Sequence, residues 1–137
     1  MTQKLIIPGT LPGLNEIIAA AKSGTRRRGA RNWKSRPPGI AYAQLKQALG
    51  KKIVALIRQQ QLVPMARVHL VVHWVEPNRR RDPDNIRAGS KFWLDALVKA
   101  GILAGDGHAQ IAGITDHFNF DAERPRVEIY LVLDAAP

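Results

Sequence analysis

Two aspartates separated by one proline are the residues whose types and spacing are best suited to chemistry. Asp82-Pro83-Asp84 follows the arginines at positions 79–81 and precedes Asn85. In an extended segment residues two apart point the same way, and Pro83 favours that geometry for Asp82, so we expect the two carboxylates to lie side by side. Paired carboxylates repel one another unless a cation lies between them, and their oxygens suit Mg²⁺, with Mn²⁺ as a substitute. The pattern predicts a divalent metal site.

A third carboxylate would complete such a site, and Asp106 is the best candidate. It lies in a Gly-Asp-Gly sequence between a predicted helix and a predicted strand, where a side chain can reach back and the glycines permit a tight approach. The alternative explanations are structural. Asp84 or Asn85 could cap a following helix, and Gly-Asp-Gly is a common turn sequence.

The basic residues predict a polyanionic partner. The chain has 21 Lys and Arg against 11 Asp and Glu, a formal charge of +10, which favours nucleic acid. Residues 22–36 carry seven cations and no acidic residue, and the surrounding glycines and prolines predict a mobile loop over 22–38. This clustering argues against the alternative of a membrane surface, which would favour an amphipathic helix. We expect phosphate contacts from Arg26, Arg27, Arg28, Arg31, Lys34, Arg79, Arg80 and Arg81.

Lys91 has two possible roles. It lies on the predicted helix that begins beside the carboxylates, where an ammonium group could stabilise charge developing on a phosphate. Arg87, Lys91 and Asp95 are also spaced four apart, which is typical of an exposed row of ion pairs on a helix. The sequence leaves both interpretations open.

The aromatic and histidine side chains leave their roles open as well. Trp33 lies inside the predicted basic loop, where its ring could either stack on an exposed base of the nucleic acid or pack onto the protein core. His108 is either a ligand or proton donor beside Asp106, or a solvated loop residue. His69 and His73 share one face of a predicted strand, opposite its apolar side, and we assign them no chemical role.

Composition and length narrow the class of protein. The absence of cysteine excludes disulfides, thiolate zinc sites and a cysteine nucleophile. A chain of 137 residues suits one domain, here taken as 1–137. No uninterrupted apolar run approaches the length of a membrane span, and the apolar run at 5–7 is too short for a signal peptide, so we expect a cytoplasmic protein.

Apolar periodicity predicts the elements that must position these residues. Strands are predicted over 4–7, 67–75, 111–120 and 126–133. Helices are predicted over 16–23 with Asn15 as the N-cap, over 40–62, and over a third segment that begins beside the carboxylates and ends at Gly101, with its apolar face at Phe92, Trp93, Ala96, Leu97 and Ala100. The order β, α, α, β, α, β, β predicts an α+β fold, a small mixed sheet with helices packed on it.

With these residues in view, the chain resembles the RusA family of Holliday junction resolvases, the crossover junction endodeoxyribonucleases. The ordered set runs from Arg-Arg-Arg-Asp82-Pro-Asp84-Asn85 through Lys91-Phe-Trp-Leu-Asp95-Ala-Leu and Lys99-Ala-Gly-Ile to Asp106 and Gln110-Ile111. A looser likeness reaches the first strand, the Pro-Gly-Leu-Asn15 turn and the later strands. The spacing from Asp84 to Lys91 is longer than in the family, and Gly105 stands where an acidic residue often occurs.

The resemblance implies a RusA-like fold and Mg²⁺-dependent resolution of four-way junctions by paired, symmetric nicks, in DNA recombination or repair. It also implies a homodimer, which suits a junction with two symmetry-related strands. Two alternatives remain: a nuclease for flaps or other branched DNA, and a non-catalytic nucleic-acid-binding protein. By position the resemblance assigns metal binding to Asp82, Asp84 and Asp106, catalysis to Lys91, a nearby acidic position to Asp95, and DNA contact to Asn15.

Overall fold

Strands with alternating apolar residues form one mixed sheet in the structure, a computed structural model that describes residues 1–22 and 39–134. The sheet order is β1-β4-β2-β3, in which β2 and β3 are parallel and the other neighbours are antiparallel. This arrangement is a small α+β fold. The elements are β1 (Thr2–Pro8), α1 (Leu14–Lys22), α2 (Ile40–Gln59), β2 (Val68–Glu76), α3 (Pro83–Arg87), α4 (Ser90–Lys99), β3 (Ile111–Phe120) and β4 (Arg126–Leu133).

The hydrophobic core lies between one face of the sheet and the helices. Because side chains alternate along a strand, β2 buries Val68, Leu70, Val72 and Trp74 on that face. Helix α2 contributes Ile53 and Ile57 to the core, and α4 contributes four residues at helical spacing. The largest of these α4 side chains belong to Phe92 and Trp93. The opposite face of the sheet carries the polar side chains, including the stacked rings of His73 and His117.

The coarse fold prediction is confirmed, with differences at the helices. Strands β3 and β4 begin and end at the predicted residues, and β1 extends the predicted strand at both ends. Helix α1 begins at Leu14, so Asn15 lies inside the first turn and its assignment as the N-cap is wrong. Helix α3 was not predicted, because a one-turn helix is too short to show apolar periodicity.

The predicted basic loop falls almost wholly outside the described residues. Lys22 is the last residue of α1 rather than part of a loop. The remainder, 23–38, carries Trp33 and the predicted DNA contacts Arg26, Arg27, Arg28, Arg31 and Lys34, which therefore stay predictions. Within 1–22 and 39–134, every helix is too short or too polar to cross a membrane.

The side-chain amides of two glutamines join β1 to the residues that follow α2. Gln60 donates from Nε2 to Ile6 O and accepts from Ile6 N at its Oε1, both at 2.8 Å, so it occupies the place of a neighbouring strand. Gln3 makes the reciprocal pair with Val63, at 2.7 and 2.8 Å. The Gln60 bonds satisfy backbone groups of Ile6 that would otherwise lie open at the sheet edge, a site where other chains can pair. The Gln3 bonds tie β1 to the backbone of the segment that follows α2.

We expect Gln60→Ala to lower the free energy of unfolding by about 1–2 kcal/mol, because two hydrogen bonds to the edge strand are lost. Urea denaturation measures this loss. Gln59→Ala is the matched control, since Gln59 is also exposed at the end of α2, and its effect should stay within about 0.5 kcal/mol. Equal effects of the two substitutions would contradict the role given to Gln60.

Candidate metal and DNA site

A buried ion pair fixes the segment that follows β2. Glu76, the last residue of β2, is 4% exposed and is the one charged residue in the core of the described chain. Arg81 binds it with both arms of the guanidinium, Nε to Oε1 at 2.8 Å and Nη2 to Oε2 at 2.9 Å. This hydrogen bonding raises the pKa of Arg81 above its ordinary value. Two parallel bonds fix orientation as well as distance, so the turn between β2 and α3 is held in one conformation.

The same guanidinium reaches the segment between β1 and α1. Its Nη1 donates to Leu11 O at 2.9 Å and lies 3.7 Å from Glu16 Oε1. Glu16 in turn accepts a hydrogen bond from Gly13 N at 3.1 Å. Arg81 therefore joins the end of β2 to the start of α1.

A second contact between these segments involves Asn85. Its Oδ1 accepts from Asn15 N at 3.0 Å. Gly13 approaches so closely that an added Cβ would lie 2.5 Å from Asn85 Oδ1 and 2.8 Å from Asn85 O, which excludes any side chain there. The backbone of Asn15 thus braces the site, while its side chain is exposed. The predicted contact of Asn15 with DNA stays a prediction.

Asp82 and Asp84 are both exposed on this braced segment. Asp82 is extended, with φ −75° and ψ 155°, and occupies the N-cap position of α3, yet its carboxylate makes no capping bond. Asp84 lies in the first turn of α3 and accepts from Asn85 N at 2.9 Å. The prediction of an extended segment through Asp84 is wrong, because the fixed φ of Pro83 suits the first position of a helix.

The three arginines before Asp82 differ in exposure. Arg81 points inward to Glu76, whereas Arg79 and Arg80 are exposed. The Arg79 guanidinium lies over the Phe120 ring, 4.8 Å from its centre, and Arg80 has no hydrogen bond to its side chain within the described residues. Arg79 and Arg80 are therefore accessible for binding a phosphate, whereas Arg81 stabilises the turn.

Asp106 lies at the other end of the sheet. It precedes β3, whose first residue, Ile111, is paired with Val68 at the start of β2, whereas Asp82 follows the end of β2. A strand of nine residues spans roughly 26 Å, so the two aspartates are far from sharing an ion within one chain. The described residues accordingly contain no cluster of three acidic or histidine side chains suited to a metal. His108 is exposed in the same distant turn.

The predicted ion-pair row on the helix is not formed. Arg87 belongs to α3 and Lys91 to α4, so they do not share one continuous helix. Arg87 Nε instead contacts Asp116 Oδ2 at 3.2 Å, and Asp95 pairs with Lys46 of α2 at 3.3 Å. Lys91 is exposed in the first turn of α4, with no ion pair to a described residue. Its ammonium group is therefore available for a ligand, whereas Asp95 joins α4 to α2.

Two carboxylates with structural roles were missed by sequence reasoning. Asp116, on β3, accepts from Trp74 Nε1 at 2.7 Å and from Arg87, and its side chain is 12% exposed. Glu76 anchors Arg81. The signal for both was a carboxylate within an apolar strand, which must find a partner if it is buried. The identity of those partners depends on the tertiary structure.

No family model matches the chain, and no match to a curated protein was found. The class of protein must therefore be argued from the site. That site consists of two exposed carboxylates on a rigid turn, flanked by exposed arginines. Mg²⁺ is commonly bound through one or two protein carboxylates, several waters and substrate phosphates, and Asp82 and Asp84 fit that pattern. The geometry defines a candidate phosphate-directed metal site.

Arg81→Ala should lower the free energy of unfolding by about 3 kcal/mol, because it leaves the Glu76 carboxylate buried without a partner. Arg80→Ala removes an exposed arginine one position away and should change stability by less than about 0.5 kcal/mol. Guanidinium denaturation monitored by tryptophan fluorescence compares the two. Similar midpoints for both variants would show that the Glu76 ion pair does not hold the turn.

Proposed function

We propose that this protein is a Mg²⁺-dependent endodeoxyribonuclease of the RusA type, with a RusA-like fold, that resolves four-way DNA junctions by paired nicks. The observation that carries the proposal is the rigid turn that presents Asp82 and Asp84 to solvent beside Arg79 and Arg80. Carboxylates to hold a cation and arginines to hold phosphates are the parts that phosphodiester hydrolysis requires. The choice of a four-way junction as the substrate rests on the resemblance to the RusA family, whose motif residues occur in the same order here from the arginine triplet to Asp106.

The residues of the site would divide the work of hydrolysis. Asp82 and Asp84 would hold the ion, and a bound Mg²⁺ would lower the pKa of a water and neutralise the scissile phosphate. Arg79 and Arg80 hold neighbouring backbone phosphates without reading sequence. The water would give up a proton to solvent and its oxygen would bond to phosphorus as one ester P–O bond breaks, and the oxygen that leaves would take up a proton from solvent.

Lys91 is the proposed stabiliser of the leaving oxygen. It begins α4 directly after the one-turn α3, and no described residue forms an ion pair with it. A preorganised ammonium near developing negative charge lowers the barrier more than it aids substrate binding. The segment between Asp84 and Lys91 contains the break between α3 and α4, at residues 88–89.

The third carboxylate is proposed to come from a second copy of the chain. In one chain the length of the sheet separates Asp106 from Asp82 and Asp84. A Mg²⁺ ion lies only about 2 Å from each ligand oxygen, so one chain cannot place all three on one ion. In a homodimer, Asp82 and Asp84 of one chain and Asp106 of the other could form one composite site, a site with ligands from both chains. Two such sites would be related by symmetry, as two symmetric nicks need. The homodimer implied by the resemblance thus has a physical reason in this fold.

Cleavage of a labelled four-way junction, compared with linear duplex of matched sequence, tests the activity. Wild-type protein should nick the junction symmetrically in Mg²⁺ or Mn²⁺ and should stop with a chelator. Asp82→Asn and Asp84→Asn should each reduce the rate by at least about 100-fold while junction binding persists, because the arginines remain.

Glu123→Gln is the matched control, because Glu123 is an exposed carboxylate in the turn between β3 and β4 and should be dispensable. Flap and linear substrates in the same assay distinguish a junction resolvase from a nuclease for other branched DNA. Folded protein that binds junctions but never nicks them in either metal would identify a non-catalytic binding protein and contradict the proposal.

A further inference from the structure

β3 is a sheet edge whose outer backbone groups make no hydrogen bond to a described residue. It is the last strand in the sheet order, and among the described strands it pairs only with β2. Asp121 N donates to Glu76 O, so the nearby odd-numbered residues turn their backbone groups to β2 and the even-numbered ones turn theirs outward. Within 1–22 and 39–134 no side chain bonds these groups, whereas on β1 the Gln60 side chain bonds the outer N–H and C=O of Ile6.

The composition of β3 suits contact with another strand. In a protein with a net charge of +10, this ten-residue strand has no Lys, Arg or Pro, the residues that commonly block pairing at an edge. Its one carboxylate, Asp116, is neutralised by Arg87. Ile114 and Phe120, both even-numbered and so on one face, are 39% and 46% exposed. The strand therefore combines open backbone groups with exposed apolar side chains.

We propose that β3 pairs antiparallel with β3 of a second copy, about a two-fold axis at His117. This register places Ile114 opposite Phe120 of the second copy, and the reverse, so that both exposed apolar side chains are covered. Asp116 then lies opposite Phe118 of the second copy. A two-fold axis at Asp116 would instead set two carboxylates directly opposite each other, which is unfavourable. The result is one continuous eight-stranded sheet built from two four-stranded sheets.

The interface stands on the geometry of β3 alone, but it has a consequence that rests on the proposed function. Antiparallel pairing sets the start of β3 in one copy beside the end of β3 in the other. That end adjoins Glu76, from which the chain leads to Asp82. The Asp106 turn of one copy is thereby directed toward the carboxylate pair of the other, as a composite site requires.

Single cysteines test the register, because the chain has no cysteine of its own. His117→Cys would face itself across the axis at a Cα separation of about 4.5 Å, within reach of a disulfide. Thr115→Cys is the control on the same strand face. In the proposed register it faces Asn119, and its two copies are displaced by roughly 13 Å, too far for a disulfide.

On mild oxidation, His117→Cys should migrate at twice the 15.2 kDa mass of one chain on a non-reducing gel, and Thr115→Cys should stay at the single mass. Crosslinking of both to the same extent, or of neither, would overturn the proposed register. The assay contains no DNA and no metal, so a negative result leaves the nuclease proposal to be decided by its own cleavage assay.

Sedimentation equilibrium tests the interface without a covalent bond. The wild-type protein should sediment as a dimer, and Ile114→Lys as a monomer. Val63→Lys is the matched control, because Val63 is also β-branched and is 46% exposed, in the turn after α2. It should remain a dimer. A wild-type monomer, or an Ile114→Lys dimer, would contradict pairing through β3.

Discussion

The ion pair between Glu76 and Arg81 is the constraint on which the candidate site depends. A carboxylate at the end of a buried strand must be neutralised, and the arginine that does so lies five residues on, just before Asp82. Because its third nitrogen binds Leu11 O, the same side chain also fixes the entry to α1. Arg81 points inward and holds the turn in one conformation. The candidate site residues on the turn, Asp82 and Asp84, can therefore lie exposed to solvent. A rigid support of this kind is what a metal site needs to hold carboxylates in place before substrate binds.

The sheet sets the second constraint. Parallel pairing of β2 with β3 places the end of one strand and the start of the other at opposite ends of the sheet. Residues that follow β2 and residues that precede β3 therefore cannot meet within one chain. The two edges of the sheet also differ, since the Gln60 side chain bonds the outer backbone groups of Ile6 on β1 and no described side chain bonds the outer backbone groups of β3. The proposed site with ligands from two chains, and an edge strand to which no described residue is paired on its outer side, both support the proposed assembly from two copies.

The sequence predicted the strands well and the site only in part. Alternation of apolar residues located β3 and β4 to the residue, because a half-buried strand is a local pattern. The conformation of Asp84 was missed, because Pro83 can precede either a turn or a helix. The inward direction of Arg81 depends on a partner across a turn, and the distance of Asp106 depends on which strands are parallel. Neither property is encoded in a local pattern, so both required the fold.

Mixing two inactive variants tests the central claim, a nuclease site shared between copies. Differently tagged Asp82→Asn and Asp106→Asn chains are co-expressed, and the heterodimer that carries both tags is purified. One of its two sites then joins an intact Asp82 to an intact Asp106, so we predict nicking of one junction strand at about half the wild-type dimer rate. Each variant alone should be inactive. A purified heterodimer that leaves the junction uncut, although it binds it, would contradict the account.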